Sequence, residues 1–181
     1  MSKQDFAAAR RALQEALKAN QEIGAKGEAA LDQVMLARVA FLENHPEQFD
    51  VKVQSAIEEL GVEKRDADEM EARAMQAEAL LAQGKVVEAR DTLEKADALR
   101  TTDWLARVHL SVSSAWFEWA RGNKTTAGRQ LAAITAEAQR AGCVICQAEI
   151  NAVLSQMSSK RSLRIPKNVQ ILTADRALGS P

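Results

Sequence analysis

The chain has 181 residues, 46% hydrophobic and 27% charged, with a formal net charge of −1, enough for one domain with a substantial core. So small a net charge excludes strong electrostatic steering toward nucleic acid or an anionic membrane, and neither partner is expected. No apolar run approaches the roughly 18–20 residues of a membrane span, and Met1 to Asp5 leads into a charged segment without a signal-peptide core, so a cytoplasmic protein is expected.

Alanine and leucine dominate, tyrosine is absent, and only 8 Gly and 3 Pro interrupt the chain, which points to helix nearly throughout. The first predicted helix runs from about Asp5 to Glu22, with Ala9, Ala12, Leu13, Ala16 and Leu17 as its apolar stripe. Ser2 and Asp5 are candidate N-caps, and Gly24 and Gly27 are read as its terminators. The second spans about Glu28 to Glu43 and stops at Asn44-His45-Pro46, because proline disfavours helical geometry in the residue before it yet suits the first turn of the next helix. The third spans about Pro46 to Leu60, with Phe49, Val53, Ala56, Ile57 and Leu60 inward and Gly61 closing it. A charged connector, Val62 to Asp66, precedes a fourth helix from about Ala67 to Gln83 that closes at Gly84. The fifth spans about Val86 to Leu99. Thr101, Thr102 and Asp103 cap the sixth, which carries all three tryptophans, Trp104, Trp116 and Trp119, and ends at Gly122. The seventh runs from about Thr125 to Ala141, closed by Gly142, and the last from about Val144 to Ser158.

Within this succession one pattern recurs. Ala77, Leu80, Gly84, Ala89, Leu93 and Ala96 describe a helix, a glycine break and a second helix with small and large apolar residues in turn. Ala115, Gly122, Ala127, Leu131 and Ile134 repeat it, and Ala37, Asn44, Phe49, Val53 and Ala56 repeat it more weakly. From Ala9 to Phe49, Ala89 and Ala127 the steps are about 40, 40 and 38 residues, within the range of helical solenoids. Small residues let two antiparallel helices approach at their crossing, and large ones fill the space around it.

These residues resemble the tetratricopeptide repeat. Ala77, Leu80, Leu81, Gly84, Ala89, Leu93 and Ala96 fit its pattern throughout. Ala115, Trp119, Gly122, Ala127 and Leu131 fit in the next copy, where Glu118 and Ile134 depart, and Leu36, Ala37, Phe41, Phe49, Val53 and Ala56 fit in the earlier one, with Asn44 in place of glycine. The period exceeds the family's usual length of about 34 residues, so longer helices or loops must absorb the difference. The segments Asp5 to Gly24 and Ala136 to Gly142 also resemble repeats that follow the kinase domain in bacterial eukaryotic-type serine/threonine kinases, and those of large bacterial transcription activators. The resemblance implies an all-α, right-handed α-solenoid of antiparallel helix pairs, about eight helices over residues 1–158. It implies binding of a peptide or helix in the concave groove, at Arg38, Phe41, Glu71, Glu78, His109, Val112, Trp116 and Trp119. The alternative for the tryptophans is a place in the core.

Cys143 and Cys146 form the one Cys-x-x-Cys, whose readings are a redox pair, half of a metal site, or two small buried apolar residues at the start of the last helix. With His45 and His109 far away in sequence, the last is preferred and no metal or cofactor is expected. Residues 159–181 form a basic tail, with Lys160, Arg161, Arg164, Lys167 and Arg176 against Asp175, and without an aromatic residue for base stacking. No nucleophile–base set or phosphate-binding glycine loop accompanies the repeat, so a non-enzymatic role is expected: a scaffold or partner-sensing module of a bacterial signalling assembly, for a protein or peptide partner. The alternative is a structural subunit. The chain begins on a second-type helix and ends on a first-type one, as a piece of a longer array or a homo-oligomer with packed ends would.

Overall fold

A computed structural model describes the backbone of residues 3–43 and 45–158. The basic tail read over residues 159–181 lies outside the described residues, as do Ser2 and Asn44. Among the described residues there are eight helices and no strand: α1 (Lys3–Glu22), α2 (Lys26–Leu42), α3 (Pro46–Val62), α4 (Asp66–Ala82), α5 (Val86–Ala98), α6 (Trp104–Ala120), α7 (Lys124–Arg140) and α8 (Val144–Ser158). Short connections make neighbours antiparallel, and each helix packs on the next, giving an all-α helical-repeat fold. Turns therefore alternate between two edges. Those joining α1 to α2, α3 to α4, α5 to α6 and α7 to α8 share one edge, called here the odd edge.

The helices divide by surroundings. On α2, α4 and α6 buried residues occur on nearly every face, whereas α5 buries only Ala89, Leu93 and Ala96 and α7 only Ala127, Leu131, Ile134 and Ala138. The former are inner helices, covered by their own partner and by neighbouring inner helices. Alanines mark the tightest crossings: Ala77, Ala89, Ala96, Ala115 and Ala127 are wholly buried, where a larger side chain would force the helices apart. The core is a succession of three clusters rather than one centre. Phe49, Val53, Ile57 and Leu60 anchor the first, Leu80, Leu93 and Phe117 the second, and Val108, Trp116, Leu131 and Ile150 the third.

Two glycines have other roles than the sequence reading assigns them. The expected terminator Gly61 lies inside α3, which continues to Val62. A Cβ there would lie 3.0 Å from the Glu69 carboxylate, so its bare backbone admits the side chain of α4. The left-handed residue of this turn is Lys64, at φ 56°. Its N–H donates to Gly61 O at 3.2 Å and that of Arg65 to Leu60 O at 2.9 Å. After α4 the pattern is the same, Gly84 N–H to Leu81 O and Lys85 N–H to Leu80 O, with Gly84 at φ 76°. Both turns are Schellman closures, and Lys64 stands where glycine is the unstrained choice. Gly27, also read as a terminator, falls in the first turn of α2 and packs against the Arg65 side chain. That arginine bridges Glu28 of α2 and Asp68 of α4, at 2.7 Å each. Of the caps, Asp103 accepts the Ala106 N–H at 3.0 Å as expected, while Asp5 lies within α1.

Replacing Lys64 by glycine is expected to raise stability by about 0.5–1 kcal/mol, relief of the left-handed penalty outweighing the added freedom of the unfolded chain. Gly84→Ala is expected to lower it by a similar amount or more. Urea denaturation of the two variants beside the parent checks both signs.

Candidate functional site

The inner helices carry charged residues on faces that their neighbours cover, so those charges must find partners inside. Arg38 of α2 donates through Nη1 to Glu78 Oε2 of α4 at 2.7 Å, and Ser113 of α6 donates through Oγ to Glu78 Oε1, also at 2.7 Å. All three are buried. The Glu78 carboxylate thus links three consecutive inner helices with both oxygens engaged. The Arg38 guanidinium also lies over the Phe41 ring, 5.2 Å from its centroid, where the ring face favours a cation. Two turns nearer the start of α4, Glu71 Oε1 lies 3.0 Å from His109 Nδ1 of α6, again between buried side chains.

The structure therefore gathers the groove residues named by the sequence, but between packed helices. Arg38, Phe41, Glu71, Glu78, His109, Val112 and Trp116 are buried, and Trp119 is partly buried. Trp116 belongs to the third core cluster with Val108, Val112, Leu131 and Ile150, and Trp119 and Trp104 pack against it. Trp116 and Trp119 meet edge to face, with centroids 5.7 Å apart. Glu118, which departs from the repeat pattern, serves the turn after α6: Asn123 donates to it at 2.6 Å and Arg121 lies 3.8 Å away.

Open space occurs instead on the odd edge. A cleft of about 500 Å³ opens where the segment after α5 crosses to α6, lined by Met70, Asp97, Leu99, Arg100, Thr101, Thr102, Arg107, Leu110 and Ser111. Met70 and Leu110 are buried and form an apolar floor, while Arg100 and Arg107 stand exposed at the rim. Arg107 stacks over Trp104 at 5.6 Å and lies 3.9 Å from Glu137. Arg100 forms no ion pair among the described residues. Nothing in the repeat pattern marks this cleft, because it depends on how the extended link Leu99–Asp103 leaves α5. The signal available was the pair of arginines flanking the Thr101-Thr102-Asp103 cap.

The other odd-edge turns expose large apolar side chains: Ile23 after α1, Val62 ending α3 and Val144 opening α8, at 77%, 73% and 75% exposure. Cys143 and Cys146, read as two unbonded residues, are joined in a disulfide at the last of these turns. Among the described residues no cluster of three or more His, Cys, Asp and Glu side chains suits a metal ion, and no helix is long and apolar enough to cross a membrane.

Asp32 on α2 is a further buried carboxylate, accepting a hydrogen bond from Asn20 Nδ2 of α1 at 2.8 Å. Burial raises its pKa above the usual aspartate value, the Asn20 bond lowers it, and nearby Glu28 raises it further.

No protein-family model, no curated protein and no solved structure matches this chain.

The raised carboxyl has a defined consequence for stability. Between its unfolded and folded values the native chain binds more protons than the unfolded chain, so stability falls as pH rises through that window. Above the window, ionised Asp32 opposes folding. Asp32→Asn keeps an acceptor for Asn20, so the variant is expected to be at least as stable as the parent at about pH 7 and to lose its advantage toward about pH 4. Urea denaturation across that range checks this, and a variant less stable at neutral pH would contradict it.

Proposed function

We propose that this chain is a non-catalytic protein-interaction module of the tetratricopeptide kind, acting as a scaffold or partner-sensing element and taking an acidic extended segment of a partner protein. The observation that carries the reading is the odd-edge cleft, an apolar floor rimmed by two exposed guanidinium groups on a repeat whose inner helices close on one another. Arginine suits such a role because its fork of N–H donors pairs two at a time with carboxylate oxygens. Leu99, Met70 and Leu110 offer apolar contact to the partner's neighbouring side chains. The cleft takes the place of the concave groove as the binding surface, since the groove residues engage one another. The resemblance to repeats of bacterial signalling proteins supports a place in such an assembly.

A specific observation favours a second reading, a structural subunit that self-associates or joins a larger complex. Ile23, Val62 and Val144 stand exposed along the same edge, and exposed apolar residues arranged together mark association surfaces. Light scattering over a range of concentrations separates the two: a structural subunit gains mass, and Val62→Glu with Val144→Glu suppresses the gain.

For the first reading, an array of immobilised peptides with and without Asp/Glu runs is probed with the parent and with an Arg100→Glu/Arg107→Glu variant. The parent is expected to retain acidic peptides and the variant to lose about tenfold or more in affinity, with unchanged circular dichroism. Binding indifferent to both substitutions, or no binding at all, would overturn the proposal.

A further inference from the structure

Cys143 and Cys146 bracket the start of α8. Cys143 immediately precedes the helix, and Cys146 lies in its first turn. The Cys143 Sγ accepts the backbone N–H of Cys146 at 3.2 Å, one of the helix's unpaired first-turn donors. The two sulfurs differ in surroundings: Cys146 is wholly buried in the third core cluster, whereas Cys143 is partly exposed. Between them Val144 is 75% exposed beside the half-open cysteine. Gly142, at φ 67°, supplies the left-handed turn that joins α7 to the start of α8 at the odd edge.

We propose that Cys143–Cys146 is a thiol–disulfide exchange site, exchanging electrons with a dithiol through the Cys143 sulfur while the chain stays folded. A structural staple joins distant parts of a chain, but this bond closes a loop of sequence separation 3 within one helical turn, so it holds no two elements together. What the position supplies is chemistry. A thiolate of an external dithiol attacks Cys143 Sγ, the Cys143–Cys146 bond breaks, and Cys146 leaves as a thiolate that takes up a proton. The second thiol of the reductant then attacks its own sulfur in the mixed disulfide and releases Cys143 as a thiolate. The chain gains two electrons and, at neutrality, up to two protons, and the dithiol becomes a disulfide. The reverse sequence oxidises a partner's dithiol. The α8 N-terminus and the Cys146 N–H favour the negative charge on Cys143, as at other helix N-terminal cysteines. Exposed Val144 gives an approaching thiol protein an apolar contact beside the sulfur.

The full chain, native and without denaturant, is incubated with dithiothreitol as the dithiol and in parallel with glutathione. It is then alkylated briefly with iodoacetamide and mapped by mass spectrometry. The expected result is loss of the bond with circular dichroism unchanged, and alkylation of Cys143 about tenfold or more faster than Cys146. Labelling order on the reduced parent chain needs no variant. Separately, Cys146→Ala treated with oxidised glutathione is expected to hold a single mixed disulfide at Cys143. Reduction only at denaturant concentrations that unfold the chain would overturn the proposal, as would equal labelling of the two cysteines. So would two free thiols in protein purified without reductant.

Discussion

The Glu78 carboxylate is the constraint around which the rest of this fold is arranged. It is buried on α4, the helix most completely surrounded, and a buried carboxylate is tolerated only if its oxygens are matched. Arg38 supplies one match from α2 and Ser113 the other from α6. An apolar contact accepts many small slips between helices, because dispersion and hydrophobic burial have little direction. Two hydrogen bonds to one carboxylate do not. Sliding α2 or α6 along α4 by one residue, about 1.5 Å, strands a buried charge. The Glu71–His109 pair repeats the demand two turns away on α4. Polar pairs inside the repeat therefore set the register of its inner helices, while alanine crossings and apolar clusters supply the bulk of the burial.

This arrangement explains where function can reside. A surface whose charges satisfy one another has little left for a partner. The odd edge has the opposite character: the link Leu99–Asp103, longer than the three-residue turns beside it, leaves a cleft with two exposed guanidinium groups, and large apolar side chains stand in solvent. The disulfide lies on that edge as well. Arg65 ties two of its turns together, pairing with Glu28 at the start of α2 and with Asp68 at the start of α4.

Much of the fold was legible because amphipathic periodicity and turn chemistry act locally. Helix ends at Gly84, Gly122 and Asp103 follow from backbone demands that those residue types meet better than others. Gly61 and Gly27 misled for a physical reason: glycine also serves where another side chain must come close, and only the packed neighbours Glu69 and Arg65 distinguish the two uses. Helical spacing puts Arg38, Glu71, Glu78 and His109 on corresponding faces of α2, α4 and α6, and the structure pairs Arg38 with Glu78 and Glu71 with His109. How tightly adjacent inner helices close over those faces depends on side-chain volumes from three helices at once, which no window of sequence displays. The cleft was illegible because an irregular link makes it. The cysteine spacing was visible, but spacing alone does not separate two thiols from a bonded pair.

Arg38 and Glu78 act as one unit across α2 and α4, and a double-mutant cycle measured by urea denaturation tests this most directly. Arg38→Met leaves the Glu78 charge buried without its main partner and is expected to cost about 3–5 kcal/mol. Adding Glu78→Leu removes the stranded charge, so the double variant is expected to recover most of that loss, with a coupling of about 2 kcal/mol or more. Losses that add to within about 0.5 kcal/mol would contradict the claim that this pair holds the inner helices in register.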